Sequence, residues 1–304
     1  RTHALRVSTS NLNLSLFFGA ATATHLKGEA MQTILSLCSG VGGLDLAVEN
    51  FFGAKVIAHS EVNTHASAVM EKRFPGSEPI GDLTTCDVSN LEADILCAGF
   101  PCKPVAVVNS RPNQRIGRDH DQWLFDDIIK LMKEMPELPK GVVFENVQGL
   151  QSHDSGRTLR HILRETSRLG YFTAWAVVWA RDAGAPHRRA RIFLLSYLAN
   201  TDWSGLQRQR REPQLETGFQ EKKIGWGRYL GAVQRWERII GRPAPCPWDG
   251  FRLNPHFAEW HMGFDEGWVT DIVTNREKQI ELLGNAVVPQ QGLLALQLLQ
   301  SRFH

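Results

Sequence analysis

The sequence predicts an α/β fold: a doubly wound, mostly parallel sheet joined to a small second region. Three observations carry that expectation. From Thr33 onward, apolar runs of strand length alternate with longer stretches whose apolar residues recur every three or four positions, the pattern of successive βαβ units. A glycine-rich turn, Ser36-Leu37-Cys38-Ser39-Gly40-Val41-Gly42-Gly43, closes the first run and opens a helical stretch. The polar residues able to carry chemistry stand where apolar runs end, and parallel sheets bind ligands at the carboxyl ends of their strands.

Strands are expected at 33–37, 55–59, 95–98, 142–144, 173–178 and 191–196, and helices at 44–52, 64–73, 124–135 and 156–169. After Asn200 the regular alternation gives way to Gln, Arg, Glu and Trp. Arg208, Arg210, Arg211, Lys222, Lys223, Arg228, Arg235, Arg238 and Arg242 are interleaved there with Trp203, Trp226 and Trp236. Such a mixture suits phosphate contacts and base stacking, and equally a solvated surface over a few core tryptophans. The last stretch carries Gly284-Asn285-Ala286-Val287-Val288-Pro289 and then an apolar helix, which reads as a return to the first unit. The expected organisation is thus an extension over 1–30 that is non-native or disordered, with Met31 as the natural start. A catalytic and ligand-binding unit over 31–199, a recognition region over 200–270 and a return segment over 271–304 follow it.

Composition narrows the class. An apolar share of 42% is that of an ordinary globular chain, and a net charge of +2 announces no nucleic-acid binder unless basic residues cluster locally. The five cysteines are odd in number, widely spaced and form no C-x-x-C pair, which argues against a disulfide framework and a zinc site and for a reducing compartment. No apolar stretch is expected to reach the length of a membrane span.

Two strand ends point to covalent chemistry. The run ending at Ala98 turns through Gly99-Phe100-Pro101 into Cys102, and the run Gly141-Val142-Val143-Phe144 ends in Glu145-Asn146. A thiol and a carboxylate at one sheet edge suit nucleophilic catalysis; taken singly, each also reads as a buried small residue or an ordinary strand-end charge. A second group describes a nucleoside pocket. Glu61 ends the second strand where it can accept ribose hydroxyls, and Asp82 in Gly81-Asp82-Leu83-Thr84 is placed to meet an adenine amino group. The glycine turn lacks the full G-x-G-x-x-G pattern, and no G-x-x-x-x-G-K-[ST] occurs, which weakens dinucleotide and P-loop readings.

In this order, the glycine turn, Glu61, Asp82, Pro101-Cys102, Glu145-Asn146-Val147, His187-Arg188-Arg189-Ala190-Arg191 and Gly284-Asn285-Ala286-Val287 resemble the DNA cytosine-5 methyltransferases of bacteria and phages. The resemblance runs from Met31 to Phe303. It implies a Rossmann-like methyltransferase fold and transfer of a methyl group from S-adenosylmethionine to carbon 5 of a cytosine flipped out of duplex DNA. It assigns Cys102 as the nucleophile at carbon 6, Glu145 as the acid at ring nitrogen N3 and the exocyclic amine, and Arg191, with Arg189 in the same motif, to the cytosine O2. It places Cys38, Gly40, Gly42, Gly43, Glu61, Asp82, Leu83, Pro101, Leu124 and Asn285 around the cofactor, with no metal. The resemblance also implies a cytoplasmic monomer acting on double-stranded DNA. Restriction protection beside a partner endonuclease, phage self-protection and an orphan role are all open to it.

The sequence departs from the family pattern at Lys103, where Gln is usual, at Val105-Ala106 for Phe-Ser, at His187 for Gln, and at Cys38 for the Phe beside the adenine. Lys103 could contact a DNA phosphate or favour the Cys102 thiolate, or it could impair positioning. Arg111, Arg115 and Arg118, between Cys102 and Leu124, suit backbone contacts. Alternatives are a catalytically silent nucleic-acid-binding relative and an RNA cytosine-5 methyltransferase; a Rossmann oxidoreductase leaves the Pro-Cys and Glu-Asn-Val motifs unexplained.

Overall fold

A computed structural model describes residues 31–101, 123–199, 201 and 225–303. In chain order its elements are β1 (Thr33–Leu37), α1 (Gly43–Phe52), β2 (Lys55–Ser60), α2 (Thr64–Arg73), β3 (Glu78–Pro79), β4 (Ile95–Ala98), α3 (Phe125–Glu134) and β5 (Gly141–Val147). These are followed by α4 (Arg157–Arg168), β6 (Tyr171–Trp179), β7 (Ala190–Leu198), α5 (Leu230–Ile240), the ribbon strands β8 (Trp248–Asp249) and β9 (Arg252–Leu253), α6 (Pro255–His261), α7 (Arg276–Asn285) and α8 (Pro289–Gln300). The extension expected over 1–30, Cys102, Lys103 and the arginines at 111, 115 and 118 lie outside the described residues, as do the basic positions from 208 to 223.

Seven strands form one sheet in the order β3-β2-β1-β4-β5-β7-β6. The chain winds outward from β1 through β2 to β3, then crosses back to β4 and β5, so the order reverses between β1 and β4. Register brings the carboxyl ends level: Leu37 pairs with Ser60 on one side and Ala98 on the other, and Ala98 pairs with Phe144. Both faces are covered. Ile34, Val56, Cys97 and Val143 face a core shared with α1 and α8, while Leu35, Leu37, Leu96, Ala98 and Phe144 face a core shared with α3 and α4. Side chains alternate across a strand, which is why neighbours such as Ile34 and Leu35 go to opposite layers.

β7 alone runs against the others, pairing antiparallel with both β5 and β6. Alternation alone led to an expectation of parallel strands here, but only residues 180–189 separate β6 from β7. A parallel crossover needs about a dozen residues or more, so this connection permits only a reversal.

The region after residue 225 packs on the same core. Trp236, Trp260, Phe264 and Trp268 are buried in the cluster that holds Ile34 and Val48. Glu259 organises the turn beyond α6: its carboxylate accepts from the backbone N–H of Gly267 (2.8 Å), Val269 (2.6 Å) and Thr270 (3.1 Å) and from the Thr270 hydroxyl. That turn carries Trp268, whose indole N–H donates to the Val41 carbonyl at 2.8 Å. The run Arg276–Gln300 is long and apolar enough for a membrane span, but it divides into α7 and α8 and 72% of its most apolar window is buried inside the protein.

Glu259→Ala strands the buried N–H donors of Gly267 and Val269 and the half-buried one of Thr270, each costing about 1–3 kcal/mol when unsatisfied. The expected result in urea unfolding is a loss of at least about 3 kcal/mol.

Candidate active site

A cavity of about 260 Å³ opens at the carboxyl ends of β1, β2, β4 and β5, at the point where strand order reverses. Cys38, Gly40, Gly43, Glu61, Asp82, Leu83, Pro101, Leu124 and Asn285 all line it, and so does Glu145. Residues far apart in sequence meet there because parallel strands of matched register deliver their ends to one edge.

The glycine turn builds the wall at β1. Gly40 adopts a left-handed backbone (φ 56°) with open space where a Cβ would stand, and its N–H donates to the Glu61 carboxylate at 2.7 Å. The other Glu61 oxygen accepts from the Asn63 N–H at 2.8 Å, so the carboxylate is held between the ends of β1 and β2. The Asp82 carboxylate accepts from the Thr84 N–H and hydroxyl. Burial, then the charges of Glu61 and Asp82, push the Cys38 thiol up to about 12, which keeps it neutral and unreactive.

Gly42 and Gly43 serve the wall differently. Gly42 does not line the cavity; it is left-handed (φ 81°) and faces Phe74, which a Cβ would approach to 2.3 Å. A Cβ on Gly43 would come within 2.1 Å of the Val287 carbonyl oxygen, so close packing against the segment after α7 requires glycine there.

At the far end of the cavity, β5 presents Glu145 and Asn146. The Asn146 amide donates to the Phe100 carbonyl at 3.1 Å and so ties the end of β5 to the turn that precedes Cys102. Glu145 is buried and ion-paired with Arg191, with Nε to Oε1 at 2.9 Å. Burial pushes the Glu145 carboxyl up, and the charges of Arg191 and Arg189 pull against it. Arg189 was grouped with the catalytic side chains on sequence, but its guanidinium donates to the carbonyls of Gly284 (2.9 Å), Asn285 (3.3 Å) and Ala286 (2.6 Å). It positions the turn that carries Asn285.

This geometry stands beside a match over residues 32–232 to the model of the C-5 cytosine-specific DNA methylase family. The chain belongs to that family. It is 36% identical over 172 residues to the type II methyltransferase M.NgoBI of Neisseria gonorrhoeae, covering 56% of this chain and 52% of the relative. It is 36% identical over 176 residues to the type II methyltransferase M.HpaII of Haemophilus parainfluenzae, covering 56% and 47%. The chain thus spans about half the length of the curated relatives it matches. Two solved structures share the fold: the Schizosaccharomyces pombe Dnmt2 methyltransferase has a TM-score of 0.58 at 16% identity, covering 90% of this chain and all of the other. The Entamoeba histolytica methyltransferase EhMeth has a TM-score of 0.63 at 14% identity, covering 91% and 100%.

Several residues of this family member escaped sequence reasoning. The motif that contains Asn146 does not reveal its tie to Phe100, and nothing in the sequence points to the bond from Trp268 to Val41. Ser36, Ser39, Asn63 and Asp45 also line the cavity. Asp45 lay hidden because an acidic residue in the first turn of a helix is ordinarily a solvated partner of the helix dipole. Here it is buried, and desolvation raises its carboxyl to about 6.

That shift fixes a pH dependence. A folded-state pKa raised from 3.8 to about 6 means the folded protein holds this proton more tightly than the unfolded chain, so stability falls as pH rises from about 4 through about 6. Asp45→Asn removes the effect. Its stability relative to the parent should rise by on the order of 2–3 kcal/mol between pH 4 and pH 7, read by urea unfolding at each pH.

Proposed function

We propose that this protein transfers a methyl group to carbon 5 of cytosine in a specific duplex DNA sequence, with S-adenosylmethionine as cofactor. The observation that carries the reading is the Glu145–Arg191 ion pair opening onto the same cavity as Glu61, beside the turn that leads into Cys102. The cavity fits the cofactor: Glu61 is fixed by backbone donors to accept ribose hydroxyls, Asp82 stands beyond it for the adenine amine, and the Gly40 backbone leaves room for close approach. Leu83, Leu124, Pro101 and Asn285 complete its lining. S-adenosylmethionine supplies the methyl group when bound there.

Carbon 5 of cytosine is a weak nucleophile until the ring is made electron-rich. The Cys102 thiolate adds at carbon 6, and Glu145 delivers its proton to N3 and accepts from the exocyclic amine, giving an enamine whose carbon 5 takes the methyl group. A raised Glu145 pKa suits proton donation at neutral pH. Arg191 orients Glu145 and stands beside the cytosine O2, where charge develops during attack. Loss of the carbon 5 proton then expels the Cys102 sulfur. The target cytosine has to leave the stack for any of these groups to reach it, at a cost of a few kcal/mol.

Readout of the flanking bases falls to the recognition region over 200–270, whose arginines, lysines and tryptophans suit phosphate contacts and stacking. We further propose a monomeric cytoplasmic enzyme, and that it protects DNA against a partner restriction endonuclease, the role that the type II names of its relatives favour.

The reading is tested by incubating the protein with S-adenosylmethionine and duplex DNA containing 5-fluorocytosine. A denaturation-resistant adduct is expected that needs the cofactor and is lost in Cys102→Ala; no adduct on diverse DNA from a folded, cofactor-binding protein would overturn it. Glu145→Gln keeps the shape but not the proton, and should lower single-turnover methylation by about a hundredfold or more while leaving cofactor affinity near that of the parent.

A further inference from the structure

Beneath the glycine turn lies a polar group that the reading above does not use. Asp45, in the first turn of α1, is only 1% exposed yet lines the cavity. Its Oδ1 accepts from the Cys97 thiol at 3.6 Å, while Oδ2 is buried with no hydrogen-bond partner among the described residues. Ser36 and Cys97 are register partners on β1 and β4, so the carboxylate sits on the α1 side of the sheet where strand order reverses. The Ser36 hydroxyl bonds that of Ser39 at 2.7 Å and also stands close enough to Asp45 to hold its carboxyl down against burial. A buried carboxylate with an unused oxygen is costly, and evolution of a folded protein keeps such groups where something pairs with them.

The order of strand ends says what that partner is. Asp82 and Glu61 follow β3 and β2, the glycine turn follows β1, and Pro101 and Glu145 stand at β4 and β5. A ligand with its nucleoside at β2 and β3 and its reactive methyl toward β5 lays its amino-acid arm across β1 and β4, over Asp45. That arm carries an ammonium and a carboxylate. A buried anion attracts the first and repels the second.

We propose that Asp45 is the binding residue for the α-ammonium group of S-adenosylmethionine, accepting a charge-assisted hydrogen bond on Oδ2 and setting which way round the amino-acid arm lies. This rests on the cofactor reading given above. Among the described residues the groups facing Asp45 are Cys97 from β4, Ser36 from β1 and Glu49 one turn further along α1, and none of these is a cation that could take the place of the ammonium.

Calorimetric titration tests it with two probes: S-adenosylhomocysteine, and its analogue with hydrogen in place of the α-amino group. The parent protein should prefer the amine-bearing ligand by about ten- to a hundredfold, the worth of one charge-assisted hydrogen bond. In Asp45→Asn that preference should collapse to within a few-fold while the deaminated ligand binds as to the parent. Asp45→Ser provides a second neutral side chain should the amide disturb folding. A parent that does not discriminate, or variants that weaken both ligands equally, would overturn the assignment and leave Asp45 as a structural group. A parent that binds neither ligand overturns the cofactor reading itself, and the assignment with it.

Discussion

The antiparallel run of β7 between β5 and β6 is the constraint on which the candidate site depends. Pairing sets Glu145 opposite Phe193 and Val147 opposite Arg191, so Arg191 stands two residues along the facing strand from Glu145 and reaches it diagonally. Such diagonal neighbours lie about 7–8 Å apart at their α-carbons, within reach of a long side chain. A parallel strand in the same place would carry the His187-to-Arg191 segment to the opposite end of the sheet. The short link between β6 and β7 therefore decides more than topology: it delivers a guanidinium to a buried carboxylate that would otherwise have no ion-pair partner among the described residues.

Segments remote in sequence hold the rest of the site in place. Arg189, next to the start of β7, takes the carbonyls at the end of α7, and the Gln291 amide at the start of α8 donates to the carbonyls of Val178 and Arg189, both at 2.8 Å. From the other side, Trp268 holds Val41 and Arg73 reaches the carbonyls of Gly267 and Trp268. The glycine turn is thus gripped between α2 and the chain beyond residue 263, and Gly43 lacks a side chain because the Val287 carbonyl already occupies that space. Rigidity at a ligand-binding turn lowers the entropy lost on binding.

How much of this was legible follows from what each signal encodes. Among the described residues from 33 to 169, helix and strand positions other than the two-residue β3 were readable because two-sided burial writes continuous apolar runs for strands and three-to-four spacing for helices. The nine sequence-chosen residues that line the cavity besides Glu145 were readable because parallel strands place their ends together whatever their order. Strand direction was not, since β7 carries the same apolar run either way and only the length of its connection tells. The tryptophans interleaved with arginines suited base stacking and a small core equally; Trp236 is a core residue, as are Trp260 and Trp268, and their indole N–H groups each find a carbonyl. Composition cannot separate these uses of an aromatic ring. Asp45 was invisible for the converse reason: its charge reads as surface, and only the fold of α1 against β1 and β4 reveals that it is buried.

Charge is divided along the cavity in a way that separates its two ends. Glu145 is compensated by Arg191 and, at longer range, Arg189, whose charges offset the upward push of its burial, so that end of the cavity carries little net charge. At the opposite end Glu61 and Asp82 are satisfied by backbone N–H groups and a threonine, with no ion pair to either among the described residues, and Asp45 below them has none. Their summed negative potential is felt by the Cys38 thiol, and it favours a cationic ligand over a neutral or anionic one. A sulfonium donor is such a ligand, and its demethylated product is less positive by one charge. The carboxylates at this end therefore support the sulfonium donor proposed above on grounds of charge as well as of shape.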